Sequence, residues 1–226
     1  MIFLSNNTLP EKAIKKLQQY GKTILLPKND VVYDAISNHP DIFCCVKDES
    51  LIVAPEFDKQ IREQLSKSGI NIVEGKTKLG KKYPETAVYN AVVTENYVIG
   101  NLAIIDKTIL SPKAGKKAIH VKQAYTRCNL LALPNESFIT SDEGIYNQLI
   151  SNNITVLYVS PKEIILRGFK HGFFGGCCGI YDDKVFIAGS LDYFSQREII
   201  KTFLKGFEII ELYDGPLLDV GSIVVF

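Results

Sequence analysis

This sequence is short of the features that most quickly assign a protein to a class. Its 226 residues carry 26 Lys and Arg against 25 Asp and Glu, a net charge of +1. That balance gives no electrostatic case for a nucleic-acid or anionic-membrane partner. No apolar run approaches the roughly 18 residues that a membrane span needs. No basic leader precedes the apolar residues of the N-terminus, so the start does not resemble a secretion signal and a cytoplasmic location is expected. The five cysteines are odd in number and do not read as a disulfide framework. They also lack the C-x-x-C spacing of a zinc site, and no cofactor is expected. The basic cluster in 76–85 has no glycine-rich turn opening a helix, so it reads as a solvated loop rather than a phosphate cradle.

What the chain does have is internal repetition. Residues 44–75 read as strand, tight turn, strand, helix, strand, and the same order returns at 130–160 and 177–213. The copies align on their turns: Asp48-Glu49-Ser50, Asn135-Glu136-Ser137 and Asp182-Asp183-Lys184. A partial copy at 89–101 has the turn Thr94-Glu95-Asn96 without a helix, followed by an irregular stretch at 102–119. Another partial copy, 2–27, has strand, helix and strand but no hairpin.

Local signals fill in these units. Thr8 and Glu11 form a capping-box pattern, and Ala13, Ile14, Leu17 and Tyr20 recur at helical spacing before Gly21. Phe57, Ile61 and Leu65 mark a second helix that stops at Gly69. Ser141 reads as the N-cap of a third helix closed by Asn153, and Ser190 or Asp192 as the cap of a fourth closed by Gly206. The tail at 214–226 ends in a strand without a partner of its own. It is expected to pair beside the N-terminal unit, supply the missing hairpin portion and close a ring. Strands interleaved with helices make the class α/β, and no linker divides residues 1–226, so one domain is expected.

Five ββαβ-like units closed through the chain ends resemble the pentein fold, the α/β-propeller of the guanidino-group-modifying enzymes, dimethylarginine dimethylaminohydrolases and amidinotransferases among them. Three segments carry the resemblance, in family order: His39-Pro40-Asp41-Ile42-Phe43, His120-Val121-Lys122, and Asp214-Gly215-Pro216-Leu217-Leu218. It implies a five-bladed propeller with one helix-less repeat. It also implies a cysteine thiolate that attacks a guanidinium carbon, a histidine that handles protons, and carboxylates that grip the cation. His120 matches the histidine. Val220-Gly221-Ser222 stands where the family has its terminal cysteine-serine pair, the acid of the second unit falls on Cys45, and the aspartate of the family's G-G-D falls on Asn90. A conventional guanidino hydrolase is therefore not expected.

Aligning the turns places Cys44, Asn90, Leu131 and Cys178 on one face of the inner strands, and Cys45, Ala91, Ala132 and Gly179 on the other. The small set suggests close packing, which leaves the first set facing the channel. Two readings follow. In one, a divergent hydrolase or transferase acts on an amidine, amide or ureido group, with Cys178 as nucleophile, His120 as general acid/base, the glycine run around Gly175 and Gly176 as oxyanion donors, and Asp41, Cys44, Asn90 and Lys122 holding a small polar substrate. In the other, the ring is kept without chemistry, as a small-molecule-binding or protein-interaction module. Each residue also has a plain alternative: buried apolar cysteines, a histidine bonded to backbone, and an aspartate shaping a turn.

Overall fold

The computed structural model describes residues 1–110 and 115–226. The chain opens with β1 (Ile2–Asn6), α1 (Glu11–Gln18) and β2 (Lys22–Leu26). A polar connection leads to the short helix α2 (Pro40–Phe43), then β3 (Cys44–Lys47), β4 (Ser50–Val53), α3 (Lys59–Lys67) and β5 (Asn71–Glu74). The third unit has β6 (Val92–Val93), β7 (Tyr97–Gly100), α4 (Lys107–Leu110) and β8 (Lys117–His120). The fourth has α5 (Thr126–Asn129), β9 (Leu130–Ala132), β10 (Phe138–Thr140), α6 (Glu143–Ser151) and β11 (Val156–Tyr158). The fifth has β12 (Cys178–Tyr181), β13 (Lys184–Ile187), α7 (Arg197–Phe203) and β14 (Glu208–Glu211), and β15 (Val224–Val225) ends the chain.

These strands form five three-stranded sheets of one design. In each, the middle strand pairs antiparallel with an inner strand and parallel with an outer one. The middle strands are apolar almost throughout because both their faces are covered, as Leu51-Ile52-Val53 and Val185-Phe186-Ile187 show. The first sheet joins the two ends of the chain: Phe3 opposes Val225 and Leu4 opposes Val224. Ile2 and Phe226 exchange backbone hydrogen bonds of 2.8 and 3.0 Å. The tail thus supplies the hairpin strand that the N-terminal unit lacks, as expected. Phe3, fully buried, stands edge-on to Phe186 with centroids 5.0 Å apart and ties this sheet to the fifth.

Several local expectations change. The Thr8/Glu11 capping box does not form; Pro10 is the N-cap, and the Thr8 N–H turns to Asn6 Oδ1. Gly21 serves close approach, since a Cβ there would lie 2.1 Å from the Met1 carbonyl oxygen. Asp142, not Ser141, caps α6 by accepting the Ile145 N–H, and Ser190 caps only a short 3-10 turn ahead of α7. In the third unit one turn of helix, α4, stands where the other units carry seven to nine helical residues. The 102–119 stretch also holds most of β8, so His120 ends the third unit instead of opening the fourth. Residues 111–114 of that stretch lie outside the described residues.

The hairpin register also shifts. Cys44 pairs with Val53 and Cys178 with Ile187, but their counterpart in the fourth unit is Leu130, opposite Thr140. Val53, Gly100, Thr140 and Ile187 all accept the first N–H after their outer strand, which makes them equivalent. Ala91, next before the Val92–Ile99 pair, therefore corresponds to Cys44. The turn in the third unit is Glu95-Asn96 and that in the fourth is one residue longer, so Asn90 and Leu131 each sit one position from where turn alignment put them.

Candidate functional site

The five inner strands surround one cavity. Residues of β3, β6, β9, β12 and β15 all line it, with Asp41 and Arg127, and its volume is ≈ 380 Å³. Its walls are mostly aliphatic, Val92, Leu131, Ile180 and Val224 among them, and Glu95 and Glu136 come from hairpin turns.

Asp41 is held by four turns of the chain. Pro40 starts α2, and Asp41, second in its first turn, is 1% exposed. Its N–H donates to the Gly221 carbonyl at 3.1 Å, and its own carbonyl accepts from Asn90 Nδ2 at 2.9 Å. Oδ2 accepts from the Ser222 hydroxyl at 2.6 Å and from the Cys128 thiol at 3.1 Å. Oδ1 is buried and has no hydrogen-bond partner among the described residues. An unbonded carboxylate oxygen inside a protein costs free energy, which makes it a marker for a missing donor. Asn90 completes the group, donating to Cys128 Sγ at 3.1 Å and accepting the Cys128 N–H at 3.2 Å. Ser222 holds its place with a left-handed φ of 67°, unusual for a side-chain-bearing residue.

Arg127, in α5, lines the same cavity and donates to the carbonyls of Gly175 at 2.8 Å and Cys178 at 3.0 Å. Behind this layer lies a second buried acid, Asp219. It accepts the N–H groups of Phe173 at 2.9 Å and Gly221 at 3.0 Å. Burial, followed by the charge of Asp41, pushes its carboxyl up to about 7. His39 Nδ1 is 3.9 Å from Asp219 Oδ1, too far for a hydrogen bond, and burial lowers that imidazole to about 4.

The sequence-derived residues divide accordingly. Asp41 and Cys44 line the cavity, and Asn90 buttresses Asp41. Lys122 is exposed and contributes its carbonyl, which accepts from Asn101 Nδ2. His120 is exposed at the end of β8, where its Nδ1 accepts the Leu102 N–H at 3.2 Å. Cys178 is fully buried in an apolar cluster with Leu131, Val185 and Ile187. The expected Cys178/His120 pair is thus one core thiol and one solvent-facing ring, with no hydrogen bond between them. The glycine run is tightly packed. A Cβ on Gly175 would lie 2.3 Å from the Arg127 carbonyl oxygen, and one on Gly176 2.1 Å from Asp219 Oδ1, so these glycines permit close packing.

All five thiols are buried and free. Burial pushes each one up, Cys45 and Cys178 to about 12 and Cys44, Cys128 and Cys177 well above the ordinary range. None is ionised near neutral pH, and the thiolate is the reactive form. The sequence reading passed over Arg127, Cys128 and Asp219, and it noted Val220-Gly221-Ser222 only as the place where the family's cysteine-serine pair is missing.

A family model described as "Family of unknown function (DUF6873)" matches residues 4–224. The chain belongs to this family. No curated protein matches the family member described here. Among solved structures, it is similar to dimethylarginine dimethylaminohydrolase from Pseudomonas aeruginosa, a cysteine-to-serine mutant complexed with citrulline. That match has TM-score 0.52 and 12% identity, over 93% of this chain and 91% of that one. It is similar to C. jejuni agmatine deiminase, with TM-score 0.55 and 10% identity over 93% and 87% of the two chains. The cysteine-to-serine form of that deiminase with substrate bound gives 0.56 and 9%, over 98% and 92%. At these identities the likeness is one of fold, and the fold is the pentein fold.

Proposed function

We propose that this pentein-fold protein binds a small polar molecule in the channel enclosed by its inner strands, and that it does so without thiol chemistry. The observation that carries this reading is Asp41 Oδ1, a buried carboxylate oxygen without a donor among the described residues, in a residue that lines the cavity. The fitting ligand presents an N–H donor from an amidine, amide, ureido or guanidino group, and a charged acceptor makes that bond stronger than a neutral one. A volume of ≈ 380 Å³ with few polar groups on aliphatic walls suits a small-molecule site. Cys44 and Asn90 serve this site as wall and support. The channel thus keeps a grip on a nitrogen donor.

Covalent turnover has less support. A nucleophile needs a base within hydrogen-bond reach and a population of its ionised form. Cys178 has apolar neighbours and a thiol pushed up to about 12, while the His120 ring faces solvent.

Thermal-shift titrations with agmatine, citrulline and arginine test the proposal on the wild type and on Asp41→Asn. At least one of these donors should raise the wild-type melting temperature in a saturable way, as a ligand specific for the folded state does, and the variant should lose that shift. No saturable shift with any of them, or equal shifts in both proteins, would reject it.

A further inference from the structure

A second cavity of ≈ 100 Å³ shares no lining residue with the channel. Tyr33, Tyr125, Phe169, Phe173 and His171 line it, beside the aliphatic Ile36, Ile42 and Leu166. The rings of Tyr33 and Phe169 are 5.9 Å apart between centroids and tilted by 44°, and His171 and Phe173 are also 5.9 Å apart. The Tyr33 and Tyr125 hydroxyls bond each other at 2.9 Å, and Tyr125 is anchored on Thr86 Oγ1 at 2.5 Å, so both rings are fixed. Phe169 is 52% exposed and forms the accessible edge. The polar group in this pocket that can carry negative charge is Asp219, 4% exposed. Among the described residues no Lys or Arg nitrogen lies within ion-pair distance of it. His39, its nearest basic neighbour, stays neutral because burial lowers it to about 4.

A buried acid beside aromatic rings, with no Lys or Arg ion-paired to it among the described residues, is an arrangement that can recognise an ammonium ion. The ring faces are electron-rich and attract the positive charge, and methyl groups on nitrogen reduce its cost of leaving water. We propose that this pocket is a binding site for a small alkylated ammonium group, seated between Tyr33, Tyr125, Phe169 and Phe173 with its charge directed at Asp219. The volume limits the occupant to a headgroup-sized cation. The two backbone N–H groups on Asp219 keep its carboxylate oriented while the cation supplies the counter-charge. The site stands apart from the proposed channel site, because neither its walls nor its acid belong to that cavity.

The test is isothermal titration of the wild-type protein with choline chloride, tetramethylammonium chloride and the neutral isostere 3,3-dimethyl-1-butanol. Both cations should bind, and the neutral alcohol should bind at least roughly tenfold more weakly, since it keeps the shape and loses the charge. Phe169→Ala, an exposed position that leaves the core intact, should weaken choline several-fold, and Asp219→Asn should weaken it by about tenfold or more. Choline affinity should also rise between about pH 6 and about pH 8, as a carboxyl pushed up to about 7 loses its proton to solvent and meets the cation as a carboxylate. The other titratable or charged groups facing that carboxyl are His39, Asp41, Tyr33, Cys128, Cys177, His171 and Arg127. The proposal is overturned if neither cation binds, if the alcohol binds as well as choline, or if Phe169→Ala binds choline like the wild type. It is overturned also if agmatine, and not choline, occupies the pocket, which would make the ligand a planar guanidinium. If Asp219→Asn does not fold, the isostere and Phe169→Ala still decide the matter.

Discussion

The paired burial of Asp219 and His39 makes a prediction that can be worked through with signs. Asp219 is held at about 7 in the folded chain against an ordinary 3.8. Between those values the folded state keeps a proton that the unfolded state has released, so the contribution of Asp219 to stability falls as pH rises. The slope is about 1.4 kcal/mol per pH unit, or roughly 4 kcal/mol over the window. His39 is held at about 4 against an ordinary 6.5. There the unfolded state binds the extra proton, so its contribution rises with pH across the window from about 4 to 6.5, by roughly 3 kcal/mol. Over that window the two slopes nearly cancel, and the wild type should show little pH dependence from this pair. Each single substitution should uncover the other. Asp219→Asn should make stability climb between about pH 4 and pH 6.5, and His39→Gln should make it fall from about pH 4 to pH 7. The chain has no tryptophan, so urea unfolding followed by far-ultraviolet circular dichroism at a series of pH values is the suitable assay. Two variants with slopes of the same sign, or both with the wild-type profile, would refute the argument.

Two further outcomes follow from burial alone. A disulfide reagent such as Ellman's should label none of the five thiols of the native protein within minutes at about pH 8, and all of them once the chain is unfolded. Rapid native labelling of one thiol would reveal an activated cysteine. Phe3→Ala should lower stability by about 3–5 kcal/mol, because the side chain is fully buried against Phe186 where the first and last units meet. A loss below about 1 kcal/mol in urea unfolding would mean that this contact does not hold the ring closed.

The ring was legible because each unit repeats its strand order, and because the tail had a strand to offer where the first unit lacked one. Register was harder to read. Two-residue turns at Asp48-Glu49 and Asp182-Asp183 coexist with a longer turn at Pro134-Asn135-Glu136, and one residue of difference moves every later side chain to the other face. Asp41 could be found because His39-Pro40-Asp41 is a contiguous pattern. Its partners could not, since Asn90, Cys128 and Ser222 come from three distant turns that converge only in the folded ring. His120 shows the opposite failure: a matching short motif whose ring bonds to a neighbouring loop. A glycine that admits a ligand and one that admits a neighbouring backbone look alike in sequence, and at Gly175 the Arg127 carbonyl is the close neighbour.

The central claim is that the channel takes a nitrogen-donor ligand at Asp41 and leaves it intact. The most direct test is a titration of isotopically labelled protein with agmatine, citrulline and arginine, followed by amide chemical shifts. At least one ligand should move the resonances of Asp41, Asn90 and the inner strands from Cys44 and Val92, with the ligand's own signals unchanged over hours. Shifts confined to the outer helices with all three, or steady conversion of the ligand to a product, would contradict it.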